Sequence, residues 1–452
     1  MRSAKLTMAK FLPLFLVALG LQLTAFSQEN SPYSRYGLGD ISPNRNVFSR
    51  GMGGIAAGVA DNQNVYQSLN YTNPASYANI FSTVFDVGAE IRYLTLRSSN
   101  PAKKFTSANT FFSYLQMAFP LTTPKMAKKK ILWAATFGLR PTTRINYKIE
   151  RNERLPGIDS LNTVYEGSGG LNQAYLGTAL KIKNFSIGVN AGYIFGSKDY
   201  STKLTFLNDS VIYYISNSAN KTSMNGVFVN LGVQYEHNFN KDEKGIPRML
   251  RVGAYGNLQQ NLNASRDDIR ETITYDGVGA PIRLDSIFEV KNIKGKVTYP
   301  AKVGAGFTYQ SANWMYGADF ETTNWSNYRY YGQTDLVQNS WTIRVGTQYY
   351  PAKPNTPAKR YFRYVKYRAG FYYGNDYIKV DNNRPDYAFT LGAGLPLTSL
   401  SRISYAGEYV VLNTALEVGN RGNRNNNIRE SNVRFNIGIS MNARWFQKPK
   451  YN

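Results

Sequence analysis

Residues 433–445 read VRFNIGISMNARW. Val433, Phe435, Ile437, Ile439, Met441, Ala443 and Trp445 fall on one side of an extended chain, and Arg434, Asn436, Gly438, Ser440, Asn442 and Arg444 on the other. Successive side chains of a strand point to opposite faces, so this period of two marks a strand with one apolar and one polar face. The same pattern begins after Thr83, where Phe85, Val87, Ala89, Ile91 and Tyr93 alternate with Asp86, Gly88, Glu90 and Arg92. Strands of a soluble sandwich also alternate, but they average about 5–6 residues. These run to about a dozen, which suits a tilted span of a hydrocarbon layer.

Working outward from these two, about 14 such segments can be counted, an even number as in bacterial barrels. They cover roughly 83–97, 107–121, 129–145, 171–182, 184–207, 221–238, 248–264, 297–310, 313–328, 338–351, 361–379, 385–398, 401–417 and 431–446. Connections at Lys183-Asn184, Ser311-Ala312 and Thr398-Ser399-Leu400 are very short, whereas 146–170 and 265–296 are long and polar. Short turns on one side and long loops on the other are the pattern of an outer-membrane barrel with a periplasmic N-terminus. The fold class is therefore all-β, a transmembrane antiparallel β-barrel of about 14 strands.

Residues 1–27 read as a signal peptide: Arg2, Lys5 and Lys10 precede an apolar run from Phe11 to Leu23, with small residues at Ala25 and Ser27. Residues 28–80 are a separate, irregular segment, 81–446 the barrel, and 447–452 a periplasmic tail. Within the irregular segment, Arg50 to Asn79 (RGMGGIAAGVADNQNVYQSLNYTNPASYAN) is rich in glycine and has no sustained period. It suits a stretch packed inside something else better than a free-standing domain. Gly51, Gly53 and Gly54 lack the preceding strand and following Lys-Ser/Thr of a phosphate loop, which leaves close backbone packing as their use.

The 452 residues carry a net charge of +24, or about +21 once the three basic residues of the signal are removed. Lys and Arg are scattered among aromatics and glycines rather than gathered on a helical face, which argues against nucleic acid. A basic surface facing outer-membrane lipids and lipopolysaccharide fits better. With no cysteine, disulfides, thiol chemistry, thiolate metal sites and a lipid anchor on Cys are excluded. His237 is the only histidine, so the usual zinc site has too few ligands. Asp381-Asn382-Asn383 and Asn423 to Asn427 lack the spacing of a calcium loop. No nucleophile–base pair stands out, so the sequence gives no enzyme, cofactor or metal site.

These features resemble the FadL family of outer-membrane barrels that carry hydrophobic compounds. The resemblance rests on the glycine-rich stretch with Asn73-Pro74-Ala75, on Pro300 to Gly306 (PAKVGAG) and on Trp314 to Trp325 (WMYGADFETTNW). It continues at Leu391 to Pro396 (LGAGLP) and the C-terminal WFQKPKY, and the later segments look most like a Bacteroidetes branch. The resemblance implies a 14-stranded barrel with residues 28–80 as a plug, or hatch, inside it. Gly51, Gly53, Gly54, Asn73, Pro74 and Ala75 would be its motif.

Pro141 would interrupt strand three. By the same resemblance, Arg140, Pro141, Thr142 and Thr143 form a wall bulge facing the plug, through which an apolar solute leaves sideways. The parity of the strands points Asp86, Glu90, Arg92, Lys302, Asp319, Glu321, Glu408, Arg434 and Arg444 into the lumen. They suit either paired networks against the plug or a polar track for a substrate head group. Tyr93, Tyr309, Trp314, Tyr409 and Trp445 point outward at strand ends, where aromatic rings settle at membrane interfaces. The implied function is passive uptake of hydrophobic small molecules such as long-chain fatty acids across a Gram-negative outer membrane, with plug-controlled lateral exit. The alternative is a non-transporting barrel serving as accessory subunit of an outer-membrane protein secretion or assembly complex, with other outer-membrane proteins as partners.

Overall fold

The computed structural model describes residues 31–60, 67–154, 156–157, 160–208, 211, 213–239, 248–311, 313–352, 360–380, 382–398 and 408–443. Its strand segments form one antiparallel sheet that closes on itself. Three strands are each broken in two and one short segment, Asp40–Ile41, lies inside, which leaves a closed barrel of 14 strands. They are β1 (Thr83–Ser99), β2 (Ala102–Pro120), β3 (Ile131–Pro141 with Thr143–Arg154), β4 (Ser160–Ile182) and β5 (Phe185–Leu207). Next come β6 (Ile215–Phe239), β7 (Arg248–Asn257 with Gln260–Tyr275), β8 (Pro281–Tyr299 with Lys302–Ser311), β9 (Trp314–Thr323) and β10 (Ser340–Tyr349). The last four are β11 (Lys366–Asn375), β12 (Pro385–Pro396), β13 (Tyr409–Arg421) and β14 (Ile428–Ala443). Every strand pairs with its sequence neighbour, and β14 returns to β1 from Ile428↔Ser98 to Ala443↔Thr83. Closure removes the two sheet edges that hydrocarbon does not tolerate.

The alternation read from β1 and β14 holds along both strands. Asp86, Glu90, Arg92, Arg434 and Asn436 are buried inside, while Tyr93, Val433 and Phe435 face out. Around the barrel the outward face is apolar: Leu176, Val227, Leu231, Val303, Ile343, Phe389 and Leu391 are all exposed. Water would expel such a belt, whereas lipid accepts it.

Two of the expectations give way. The connections 146–170 and 265–296 are not loops but hairpins that continue the ladder. Charged and polar residues dominate both stretches, and only short runs such as Ile282, Leu284, Phe288 and Val290 keep an apolar side. In β13 the inward residues are Tyr409, Val411, Asn413, Ala415 and Glu417. Glu408 is therefore exposed rather than lumenal, and Tyr409 points in rather than out. A slip of one residue in register exchanges the two faces of a strand, and the boundary read at 401 carried that slip. Residues 1–30, Arg444, Trp445 and the tail lie outside the described residues.

Residues 31–60 and 67–82 are almost entirely buried within the ring. This inner segment begins near the rim of long hairpins, where Ser31 N donates to Asn146 O (3.0 Å). It turns through a short helix Val47–Arg50 and a 3-10 helix Pro74–Asn79 before entering β1. Strand glycines receive it. A Cβ on Gly188 would lie 2.4 Å from Pro74, on Gly232 2.1 Å from Asn73, on Gly253 2.0 Å from Ala57 and on Gly370 2.2 Å from Gly53 N. At Gly188, Gly253 and Gly370 the contacts are to backbone, which cannot swing aside, and at Gly232 to the Asn73 side chain, so only glycine lets the two chains approach this closely. Substituting Gly370→Val should therefore cost about 1–3 kcal/mol and loosen the inner segment. Thermal unfolding followed by heat-dependent gel mobility, with proteolysis of residues 40–80 as the second readout, checks this; an unchanged midpoint and an uncut segment would contradict the fit.

Candidate functional site

Inside a barrel there is no apolar core to fill the space, so the strands present polar side chains to whatever lies within. Here the occupant is the inner segment, and the contacts are ionic. Arg50, at the end of the short helix, donates Nη1 to Glu90 on β1 at 2.6 Å and Nε to Glu417 on β13. Arg434 on β14 lies 3.4 Å from Glu417, and Arg144 on β3 lies 3.7 Å from Glu90. A second group surrounds Glu321 on β9. Arg45 of the inner segment reaches it at 2.9 Å, Tyr255 on β7 donates to it at 2.9 Å, and Lys302 and Arg344 stand 3.7 Å away.

Asp319, also on β9, meets no cation in hydrogen-bond range among the described residues; its Oδ2 accepts the backbone N–H groups of Ala56 (2.5 Å) and Ala57 (2.8 Å). Asp86 on β1 accepts from Tyr114 (3.3 Å), Gln116 (3.0 Å) and Ser440 (3.0 Å). Near the hairpin rim, Asp40 of the inner strand lies 3.5 Å from Arg92 and 3.2 Å from Arg421. Near the turn rim, Glu236 on β6 binds both Arg251 and Lys181 at 2.9 Å, and Lys181 also donates to Asn79 Oδ1 at 2.8 Å.

The motif glycines and the Asn-Pro-Ala turn sit on opposite walls. Gly51 lies against Gly392 on β12, and Gly53, at φ +66°, packs on β10 and β11. Gly54 has φ +81° and its carbonyl accepts from Arg45 Nε (2.8 Å). Asn73 and Pro74 press on β5 and β6. Asn73 Oδ1 caps the turn by accepting from Ala75 N (3.1 Å), and its Nδ2 donates to Ala57 O (2.7 Å), which ties the two halves together.

Residues Arg140 to Thr143 lie where β3 breaks. The ladder to β2 ends at Leu115↔Leu139. Beyond Thr142, β3 turns to pair with the inner strand, Asp40↔Arg144 and Ile41↔Thr143. Pro141 supplies no N–H and Gly169 and Gly170 of β4 adopt φ +124° and +138°; a Cβ on Gly170 would lie 2.3 Å from Thr143 O. Side chains fill the parted wall. Arg140 donates to Gln173 and Asn44 and stacks 4.7 Å from the Tyr71 ring centre. Arg144 donates to Phe112 O (3.2 Å) and lies 4.0 Å from the Phe111 ring centre.

A cavity of about 190 Å³ lies between the inner segment and the strands. Arg45, Arg50, Lys302, Arg344, Arg421 and Arg434 line it together with Glu321 and Glu417. Its chemistry is that of a charged, wettable pocket rather than of a site for an apolar solute. Arg45, Arg50, Tyr255, Arg344, Glu417 and Arg421 were not singled out by the sequence. Glu417 and Arg421 had a usable signal, inward parity in β13, once that strand is read in its correct register.

A family model described as BamG matches residues 8–452. No curated protein matches the chain. Among solved structures, a Pseudomonas aeruginosa FadL homologue is 12% identical with a TM-score of 0.54, over 90% of this chain and 99% of that one. The toluene transporter TodX of P. putida is 14% identical with a TM-score of 0.53, over 90% and 100%. The monoaromatic hydrocarbon channel CymD is 14% identical with a TM-score of 0.51, over 91% and 100%. At these identities the likeness is one of fold: the barrel is FadL-like.

Arg50 generates a sharp expectation. Removing one partner of a buried ion pair strands the other, at a cost of about 3–5 kcal/mol. Arg50→Met should therefore destabilise strongly, leaving Glu90, among the described residues, with only Arg144 at 3.7 Å and Glu417 with only Arg434 at 3.4 Å. The triple variant Arg50→Met, Glu90→Gln, Glu417→Gln should recover only part of that loss, since it also takes the carboxylates from Arg434 and Arg144. Denaturant unfolding of the refolded barrel in detergent separates the two; equal loss in both would show that packing, not charge, holds the helix.

Proposed function

The chain belongs to the BamG family, and from that premise we propose that it is a non-transporting FadL-like barrel, an accessory subunit of an outer-membrane protein secretion or assembly complex. It would sit in the outer membrane of a Gram-negative bacterium of the Bacteroidetes. Its apolar belt would face lipid, and its basic surface anionic headgroups and lipopolysaccharide. The inner segment acts as a permanent plug. One observation carries this reading: both carboxylates that hold Arg50, and the one that holds Arg45, belong to barrel strands. Moving the plug would separate these buried pairs, and each stranded ion costs several kcal/mol. An apolar solute filling the cavity would strip water from the same charges without replacing it.

A second reading, uptake of hydrophobic compounds, is favoured by the break of β3 at Thr142 and by the FadL-like fold. In this chain, however, the inner strand and two arginines fill the break.

Two measurements decide. Native mass spectrometry of the protein, extracted gently from its own membrane, should show it bound to other outer-membrane proteins and without a lipid-sized adduct. An isolated barrel carrying such an adduct would favour uptake. The chain has no cysteine, and a Cβ added to Gly438 would lie 3.1 Å from Val47 Cβ, so a shift of a few tenths of an ångström brings the pair to the roughly 3.5–4.5 Å of a disulfide. Locking the plug through Val47→Cys and Gly438→Cys should leave assembly of the complex unaltered.

A further inference from the structure

The barrel is not level at its hairpin rim. The outer parts of β3 to β8 continue as one six-stranded sheet: β3 pairs with β4 out to Arg154↔Ser160, β4 with β5, β5 with β6, β6 with β7 from Asn225↔Asn263 to Ile215↔Ile273, and β7 with β8 out to Tyr275↔Pro281. This sheet stands above the belt and has two lateral edges. On β3 the edge strand carries Lys148, Glu150, Arg151, Asn152, Glu153 and Arg154. Charges of this kind keep a free edge from recruiting another strand.

The β8 edge is built differently. Among the described residues, its far side meets β9 only from Lys302↔Thr323, and above that Arg329, Tyr330 and Tyr331 touch it, at Thr298, Val297, Lys296 and Ile293. From Pro281 to Val290 it has no strand on that side. Ile282, Leu284, Phe288 and Val290 are exposed there, Ile287 is 70% exposed, and Val278 at the hairpin tip is 93% exposed. Arg283 pairs with Glu271 (3.2 Å) and Glu289 (3.1 Å), and Lys291 with Glu289 (2.9 Å); Asp285 accepts from Ser286 N (2.8 Å), and Arg283, Asp285, Glu289 and Lys291 balance in charge. What is left to bind is backbone and apolar surface.

We propose that the β8 edge from Pro281 to Val290 takes an extended, apolar segment of a partner protein as an added antiparallel strand, outside the membrane. The inference rests on the accessory-subunit reading and names the chemistry of the partner. A row of unpaired N–H and C=O groups is complemented by another backbone and by no other common surface. The local charge matching removes any call for a strongly acidic or basic partner. A second copy fits poorly. Two copies in one membrane are related by an axis along the membrane normal. That axis sets the two edges side by side in the same sense and at the same height, where like backbone groups face each other.

Hydrogen exchange on the isolated full-length barrel and on the gently extracted complex tests this. About half of the amides from 281 to 290, those directed away from β7, should exchange at least tenfold more slowly in the complex. The Leu284→Lys, Phe288→Lys variant should keep its heat-dependent gel mobility and lose that protection together with the bound protein. A complex that forms with these amides unchanged would overturn the inference and leave the accessory reading standing. Protection that appears in the isolated barrel as its concentration rises would identify a second copy and overturn it too. Absence of any complex would overturn both.

Discussion

Arg50 ties the inside of this molecule to its wall. Its guanidinium lies between Glu90 on β1 and Glu417 on β13, flanking β14 where the ring closes. A barrel wall is fixed by its ladder, but nothing in a ladder dictates what fills the lumen. Ions buried there carry a desolvation cost of several kcal/mol each, so a placement that leaves any one unpaired is strongly disfavoured. Arg50, Arg45, Asp40 and Asn79 each need a particular partner on a particular strand. Together with glycine seats that admit backbone only at certain heights, they leave the inner segment one position. Specificity, more than net stability, is what such pairs supply.

The wall was legible in the sequence because one physical rule wrote it. Lipid outside and polar groups inside impose a period of two, and β1 and β14 show it without interruption. The breaks were partly legible: Pro141 marked one, since proline cannot donate to a ladder, whereas the interruption at Pro300 was read through within 297–310. Where lipid no longer acts, the rule fades. The hairpins above the rim kept their pairing but are mostly charged and polar, with alternation left only in short runs such as 282–290, so they read as loops. The ion pairs were legible only as parity. Glu90, Arg92 and Glu321 could be placed in the lumen, but their partners Arg50, Asp40 and Arg45 sit in a segment with no period at all. No spacing rule connects residues 40 and 92 when the chain between them is irregular.

The break in β3 shows how a wall can part without opening. Above Thr142 the strand leaves β2 and accepts a new partner from within, and Arg140 and Arg144 span the gap with cation–π and carbonyl contacts. An open seam in hydrocarbon would expose unpaired backbone, at several kcal/mol for each group. The inner strand is therefore part of the wall as well as a filling. A segment with both roles is poorly suited to move, since withdrawing it would reopen the seam it completes.

Strand length divides the molecule by solvent. β9, β10 and β11 have 10 residues each, about what a tilted span of hydrocarbon requires. β4, β5 and β6 have 23, 23 and 25, so roughly a dozen residues of each stand beyond the lipid. Within the belt an exposed leucine or valine is solvated by acyl chains and needs no protein partner. Above it, the same side chain faces water. The β3 edge of the raised sheet obeys that change of solvent, with lysine, arginine and glutamate at five of the seven positions from Lys148 to Arg154. The β8 edge does not: Ile282, Leu284, Ile287 and Phe288 are as exposed as residues of the belt, where no lipid reaches them. Two edges of one sheet, under the same solvent, differ in this way when one is meant to stay bare and the other to be covered.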